Sequence, residues 1–267
     1  MFGAGHVNGG DRHTRGLPRL RGFALAGLMA VTAGCGSGGG DGGSDTADRN
    51  GAGRSASASA SASAQPAGGS VPTEAALKAV AFADGERIGP YTASETDGAP
   101  LGEDYTADPA RCGPLVSLAR GATAHDPAAE VHREVDVADE VAGIGVLVQL
   151  RSYAGDGASA VMKDLSAAGD ACAGGYTEVR AIARARVLKA EPVEAPAIGD
   201  EAEAFRFTVL DVKGELKLYE YLTVVRSGAV TLSFRADFLG TKDIGAVPRE
   251  IVDAQWKKFS AAHGSGA

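Results

Sequence analysis

The side chains with the most chemical reach in this 267-residue chain are three cysteines, three histidines after residue 100, and arginines and tyrosines that recur at alternate positions. The histidines define no site. His125 and His132 have no cluster of further ligands beside them, and His263 sits in the terminal HGSGA, which leaves few geometries for a metal centre or a Ser-His-Asp arrangement. Neither HExxH, GxSxG nor a Walker loop occurs. His132, in EVHREV, reads as a strand decoration, and Asp200, Glu201 and Glu203 in IGDEAEAF read as a solvated turn because they lack EF-hand spacing. No carboxylate pair is singled out for acid–base work. The expectation is no catalytic residue, no cofactor and no resident metal. Arg180, Arg184 and Arg186 share one parity of a predicted strand, and Tyr219 and Tyr221, with Arg206 and Arg235, join them on the outward side of the same sheet. Such a cluster is a possible face for an anionic or sugar-like ligand. The alternative is a plain solvent face with arginine stems lying over the sheet, and both readings stay open.

Cys35 has the most specific surroundings. Arg12, Arg15, Arg19 and Arg21 precede FALAGLMAVTA, an uncharged run from Phe23 to Ala33, which is the order of a secretory signal. Eleven apolar residues are too few to span about 30 Å of hydrocarbon, and Gly34 ends the run. No Arg-Arg pair precedes the run, which favours general secretion over twin-arginine export. Thr32-Ala33-Gly34-Cys35 resembles the bacterial lipobox, with Thr32 where that motif usually has Leu. The resemblance implies a diacylglyceryl thioether on Cys35, and two acyl chains suffice for stable anchoring where one does not. The competing reading is an ordinary peptidase site after Val31-Thr32-Ala33, with Cys35 left as a stray thiol.

Charge limits the partners. With 26 Lys+Arg against 34 Asp+Glu, the formal charge is -8, which excludes a nucleic-acid binder, because neutralising phosphates needs a basic surface. Removal of residues 1–34 leaves a formal -11, so the expected membrane contact is the lipid anchor and not the protein surface.

These residues require a tether and a folded domain to hold them. Residues 35–72 comprise the lipidated cysteine and a Gly/Ser/Ala linker with no aromatic residue, which cannot bury enough surface to offset its ordering entropy. Gly38, Gly40 and Gly43 match GxGxxG, but no strand or helix flanks them, and the match is discarded. The Ser-Ala repeat is open to reading as a glycosylated stalk.

Residues 73–267 form the extracytoplasmic domain. Ile144, Val146, Val148 and Leu150 alternate as in a half-buried strand, with Ala129 to Val137 as its partner. Ala158, Val161, Met162, Leu165, Ala168 and Cys172 recur at helical spacing after an Asp156 N-cap. Val179 to Val187 reads as one strand, and Phe205 to Leu210, Leu216 to Arg226 and Ala229 to Phe238 as a meander. Short helices are expected at Thr73 to Val80 and after Asp108-Pro109, and a C-terminal helix from Pro248. The fold class is α+β, a single domain with an antiparallel sheet and helices packed on one face. Cys112 and Cys172 remain as an even pair in an exported domain, which most simply bond to each other.

A lipobox followed by a Ser/Gly tether, DPARC, SYAGDGASAVMKDLSAAGDACAGGY, APAIGDEAEAF, VVRSGAVTLSF and AQWKKF resembles the exported lipoproteins of high-GC actinobacteria. Over about residues 73–262, the last five segments also resemble the extracellular sensor domain of a mycobacterial serine/threonine kinase. That resemblance implies an antiparallel sheet backed by helices, with a cleft and two disulfides. One cysteine pair is present here. The expected function is that of a lipid-anchored protein of the cell membrane's extracellular side. It is non-enzymatic and binds or senses an unknown small ligand or protein partner. The alternative is an extracytoplasmic hydrolase using unidentified carboxylates. Mass spectrometry of the membrane fraction is expected to find an acylated N-terminal Cys35, and the Cys35→Ala variant to be released into the medium; unchanged membrane retention of that variant refutes the anchor.

Overall fold

The computed structural model describes residues 70–96, 101, 105–137, 143–180, 183–211, 213–238 and 240–263. The signal segment, Cys35 and the linker up to residue 69 lie outside the described residues, and the readings made on them remain expectations. The described residues all fall within the second of the chain's two units. Its first helix, α1 (Glu74–Val80), is capped by Thr73, whose hydroxyl accepts from the Ala76 amide at 3.3 Å. Strands β1 (Arg87–Ile88), β2 (Tyr91–Glu95) and β3 (Thr106–Asp108) follow, then a 3-10 helix at Ala110–Val116. The remainder is β4 (Ala129–Val137), β5 (Ile144–Ser152), α2 (Gly157–Cys172), β6 (Tyr176–Arg180), β7 (Ala183–Pro192), β8 (Glu201–Leu210), β9 (Lys217–Ser227), β10 (Val230–Phe238) and α3 (Arg249–His263).

All ten strands join one sheet in the order β1-β2-β4-β5-β10-β9-β8-β7-β6-β3, and every pairing is antiparallel. Side-chain alternation makes its two faces different. On one face Val148 and Phe234 pack with Leu77, Phe82, Ile251 and Phe259 from the region of α1 and α3. On the other, Phe207, Leu222 and Val224 pack with Met162 and Leu165 of α2 and Leu115 of the 3-10 helix. The α+β class with an antiparallel sheet is therefore the observed one. The helices, expected on one face, are divided between both. The physical reason lies in β9, where five consecutive residues from Tyr221 to Val225 are buried. A strand apolar on both sides needs cover on both.

The stretch from Val179 to Val187 is two strands and not one. β6 and β7 form a hairpin in which Arg180 lies opposite Ala183 and Tyr176 opposite Val187. The alternating small and charged residues suit either arrangement, and pairing decided it. Asp156 occupies the N-cap position of α2, but its side chain makes no capping bond.

Gln255 ties the two ends of the domain together. Fully buried on α3, it accepts from the Phe82 amide at 3.1 Å and donates to the Val80 carbonyl at 2.8 Å, satisfying one group on the last residue of α1 and one just beyond it. Cys112 and Cys172 are joined by a disulfide across a sequence separation of 60 residues, which fastens the 3-10 helix to the last residue of α2. Beyond it the chain turns sharply at Gly175, whose φ of +103° and whose 2.4 Å clearance between a built Cβ and the Val187 carbonyl oxygen admit only glycine. Chemical denaturation of a Cys112→Ser/Cys172→Ser double variant is expected to show a loss of about 4 kcal/mol, the chain-entropy value for a loop of this length; a loss under about 1 kcal/mol overturns that account.

Candidate functional site

A groove with an aromatic floor lies along α2. One wall is Ser166, Gly169, Asp170 and Ala173; the other is the end of β7 and the start of β8, with Pro192, Val193, Ala195 and Ala202 to Phe205. It encloses about 430 Å³. Its floor exists because position 169 carries no side chain: a Cβ there would come within 2.6 Å of the Phe205 ring. Phe205 can then lie against the helix and stack on Phe207, with centroids 6.4 Å apart. Around this apolar floor stand three polar groups: the Ser166 hydroxyl, which hydrogen-bonds Glu203, and the Asp170 and Glu203 carboxylates. Burial pushes the Glu203 carboxyl above its ordinary range, the charges of Asp170 and Glu201 add to this, and the Ser166 bond opposes it. A concave apolar wall with a few convergent polar groups is the usual form of a small-molecule site.

A second, more open groove of about 530 Å³ flanks the other side of α2, between Asp164, Ala167, Ala168 and Ala171 and the segments around Gly113 and Ala122. His125 Nε2 lies 3.0 Å from Asp164 Oδ2 and ties the loop to the helix at its mouth. Beneath it is an enclosed space of about 10 Å³, room for a single water, bounded by Arg151, Tyr153, Ser117, Thr231 and Ser233.

That space borders a buried polar strip on β4 and β5. Arg151 Nε donates to Glu130 Oε2 at 3.1 Å and its Nη1 to the Ser117 carbonyl at 3.2 Å. Gln149 Nε2 donates to the Leu118 carbonyl and faces His132 Nδ1, each at 3.4 Å. His132 Nε2 in turn lies 3.5 Å from Glu130 Oε1. His132 is thus a buried structural histidine, and the strip pins the segment after the 3-10 helix to the sheet.

The structure separates the residues of the sequence-derived ligand face. Register places Arg180 on the α2 face, and Arg184, Arg186, Tyr219 and Tyr221, with Arg206, on the opposite one. Arg180 bonds Glu178, and reaches Glu220 at 2.8 Å, in a charge cluster centred on buried Arg235, which bonds the same two carboxylates. The Glu220 that breaks the Leu218, Leu222, Val224 pattern is there to meet these guanidiniums. Asp237, beside this cluster, has its carboxyl pushed up to about 6, first by desolvation and then by the charge of Glu220, although half of its side chain meets solvent. Tyr221 is fully buried, donating to Asp243 Oδ1 at 2.8 Å and accepting from the Ile244 amide at 2.7 Å. Asp200 and Glu201 are exposed, and both pair with Arg226, while Asp200 also accepts from the Gly228 amide. Glu203 is in β8, facing the groove.

The groove residues Ser166, Gly169, Asp170 and Phe205 were not selected from the sequence. Their signal, a glycine inside a helix facing an aromatic strand residue about 35 positions later, becomes visible only when the pairing is known.

No family model and no curated protein matches the chain. Among solved structures it is similar to the extracellular domain of PknH from Mycobacterium tuberculosis, with 12% identity and a TM-score of 0.48 over 72% of this chain and 96% of that one. It is also similar to a putative uncharacterized protein from Mycobacterium smegmatis, with 16% identity and a TM-score of 0.32 over 66% of this chain and 88% of that one.

Glu130 supplies the pH test of the strip. The His132 hydrogen bond, with Arg151, holds its carboxyl at about 2 against the opposing effect of burial. A depressed folded value means that its contribution is present above the unfolded carboxylate range and is lost as pH falls from about 4.5 towards 2. Denaturant titrations are expected to show roughly 2 to 3 kcal/mol disappearing over this window, and a smaller pH slope in Glu130→Gln. An unchanged slope in that variant contradicts the assignment.

Proposed function

We propose that this domain is a lipid-anchored module of the cell membrane's extracellular side that binds a small ligand in the groove between α2 and β8 without transforming it. The groove carries the reading: an aromatic floor, small apolar walls and three polar groups in about 430 Å³ suit a ligand of a few rings or a short chain. The Cys112–Cys172 bond supports an oxidising, extracytoplasmic setting. In this reading the diacylglyceryl group on Cys35 is the membrane partner, and residues 36–72 give the domain reach beyond the headgroups.

One observation favours a second reading. Asp170 and Glu203 share the groove, and burial raises the Glu203 carboxyl above its ordinary range, the direction a general acid needs. A hydrolase would use Glu203 as acid and Asp170 as base or nucleophile.

Heteronuclear NMR titration with neutral disaccharides, primary amines and short carboxylic acids is expected to shift amides of Gly169, Ala173, Ala195 and Ala202 together, and Ala195→Trp, which fills the groove, to abolish the response. Responses confined to other surfaces, or none at millimolar probe, overturn the binding site. Cleavage of a bound probe that is lost in Glu203→Gln establishes the hydrolase instead.

A further inference from the structure

α1 and α3 cover only part of the sheet face on which they lie. From β9 outwards to β3 that face carries Arg184, Arg186, Lys189, Arg206, Lys217 and Tyr219, brought to one side by the registers Arg184↔Val179, Lys189↔Thr208, Arg206↔Tyr221 and Leu210↔Lys217. Among the described residues, these five cations from three adjacent strands have three carboxylates as ion-pair partners on the same side: Asp108, Glu191 and Asp243. In a chain of formal charge -8 this is a local reversal of sign.

The pairing is loose where the face is open. Arg184 and Asp108 meet at 2.9 Å with both side chains at least 60% exposed, and Lys189 is 3.9 Å from Glu191. Exposed pairs of this kind contribute little and exchange readily for another anion. Arg186 and Lys217, both exposed, have no ion pair among the described residues. Alternate residues along a strand stand about 6.6 Å apart, so Arg184, Arg186 and Lys189 form a row along β7, with Arg206 and Lys217 on the next two strands, rather than a pocket. One small anion cannot use such a row, whereas a chain of linked anions can contact several members at once. Guanidinium forks match phosphate oxygens in pairs.

We propose that this open face docks a linear polyphosphate, on the opposite side of the sheet from the α2 groove and independently of it. Fluorescence polarisation of the purified full chain with labelled short-chain polyphosphate is the test. Binding is expected to weaken linearly in log Kd against log salt, as counterion release requires. Arg186→Glu/Lys189→Glu is expected to weaken it about tenfold or more at low salt, with the unfolding temperature unchanged because both side chains are exposed. Asp170→Asn, in the groove, is expected to leave polyphosphate binding intact, which separates this proposal from the reading of that site. The proposal is overturned by no binding at low salt, by binding that the charge-reversal variant retains, or by binding to phosphatidylglycerol vesicles without binding to polyphosphate.

Discussion

The seat of α2 on the sheet is the contact on which the rest of this domain depends. One missing side chain and one sulfur bond make it: Gly169 lets the helix come down on the Phe205 ring, and the Cys112–Cys172 bond fastens the helix's last residue to the 3-10 helix. Both grooves are the spaces left on either side of that seat. Raise the helix by the thickness of a methyl group and the floor of the α2–β8 groove opens into the core. Close packing makes such a displacement costly, because the interior has no spare volume to absorb it.

The sheet supports this arrangement by carrying different chemistry at different depths of the same face. Beneath α2 it offers Phe207, Leu222 and Val224. Towards β4 and β5 it offers the Glu130, His132, Gln149 and Arg151 strip, whose donors reach the backbone carbonyls of Ser117 and Leu118. Beyond the helix, Arg235 and Arg180 are held between Glu178 and Glu220. Buried charges survive only when paired, and here the partners come from three strands. The charged face is therefore fixed by the order β10-β9-β8-β7-β6, in which β6 stands four strands from β10. The sheet's curvature, and not its hydrogen bonding, must bring Glu178 to Arg235.

The two surfaces proposed for recognition lie on opposite sides of one sheet. The groove along α2 is small, aromatic and acidic; the open face from β9 to β3 is broad and carries a row of cations. They share strands β7 and β8, yet alternate residues of those strands serve them separately: Phe205 faces the groove while Arg206 faces the open side.

Much of the architecture was legible in the chain. Period-two runs such as GIGVLVQL and period-3.6 runs such as ASAVMKDLSAAGDAC report burial directly, because a strand or helix facing a core must repeat its apolar residues with its own geometry. The antiparallel α+β class, the β4–β5 and β8–β10 hairpins and α2 are of this kind. Faces were not legible wherever a turn inverts the parity. Arg180, Arg184 and Arg186 share a spacing in the chain, but the β6–β7 hairpin turns Arg180 to the opposite side, since one residue's shift in pairing exchanges the faces of a strand. Nor does the chain say which of its acids will be neighbours: Asp170 and Glu203 are 33 positions apart and meet only because Gly169 seats its helix on β8. Local periodicity is a property of each segment alone, and so the sequence determined the elements by itself. A site is a coincidence of segments distant in the chain, and only the packing of one element against another could decide it.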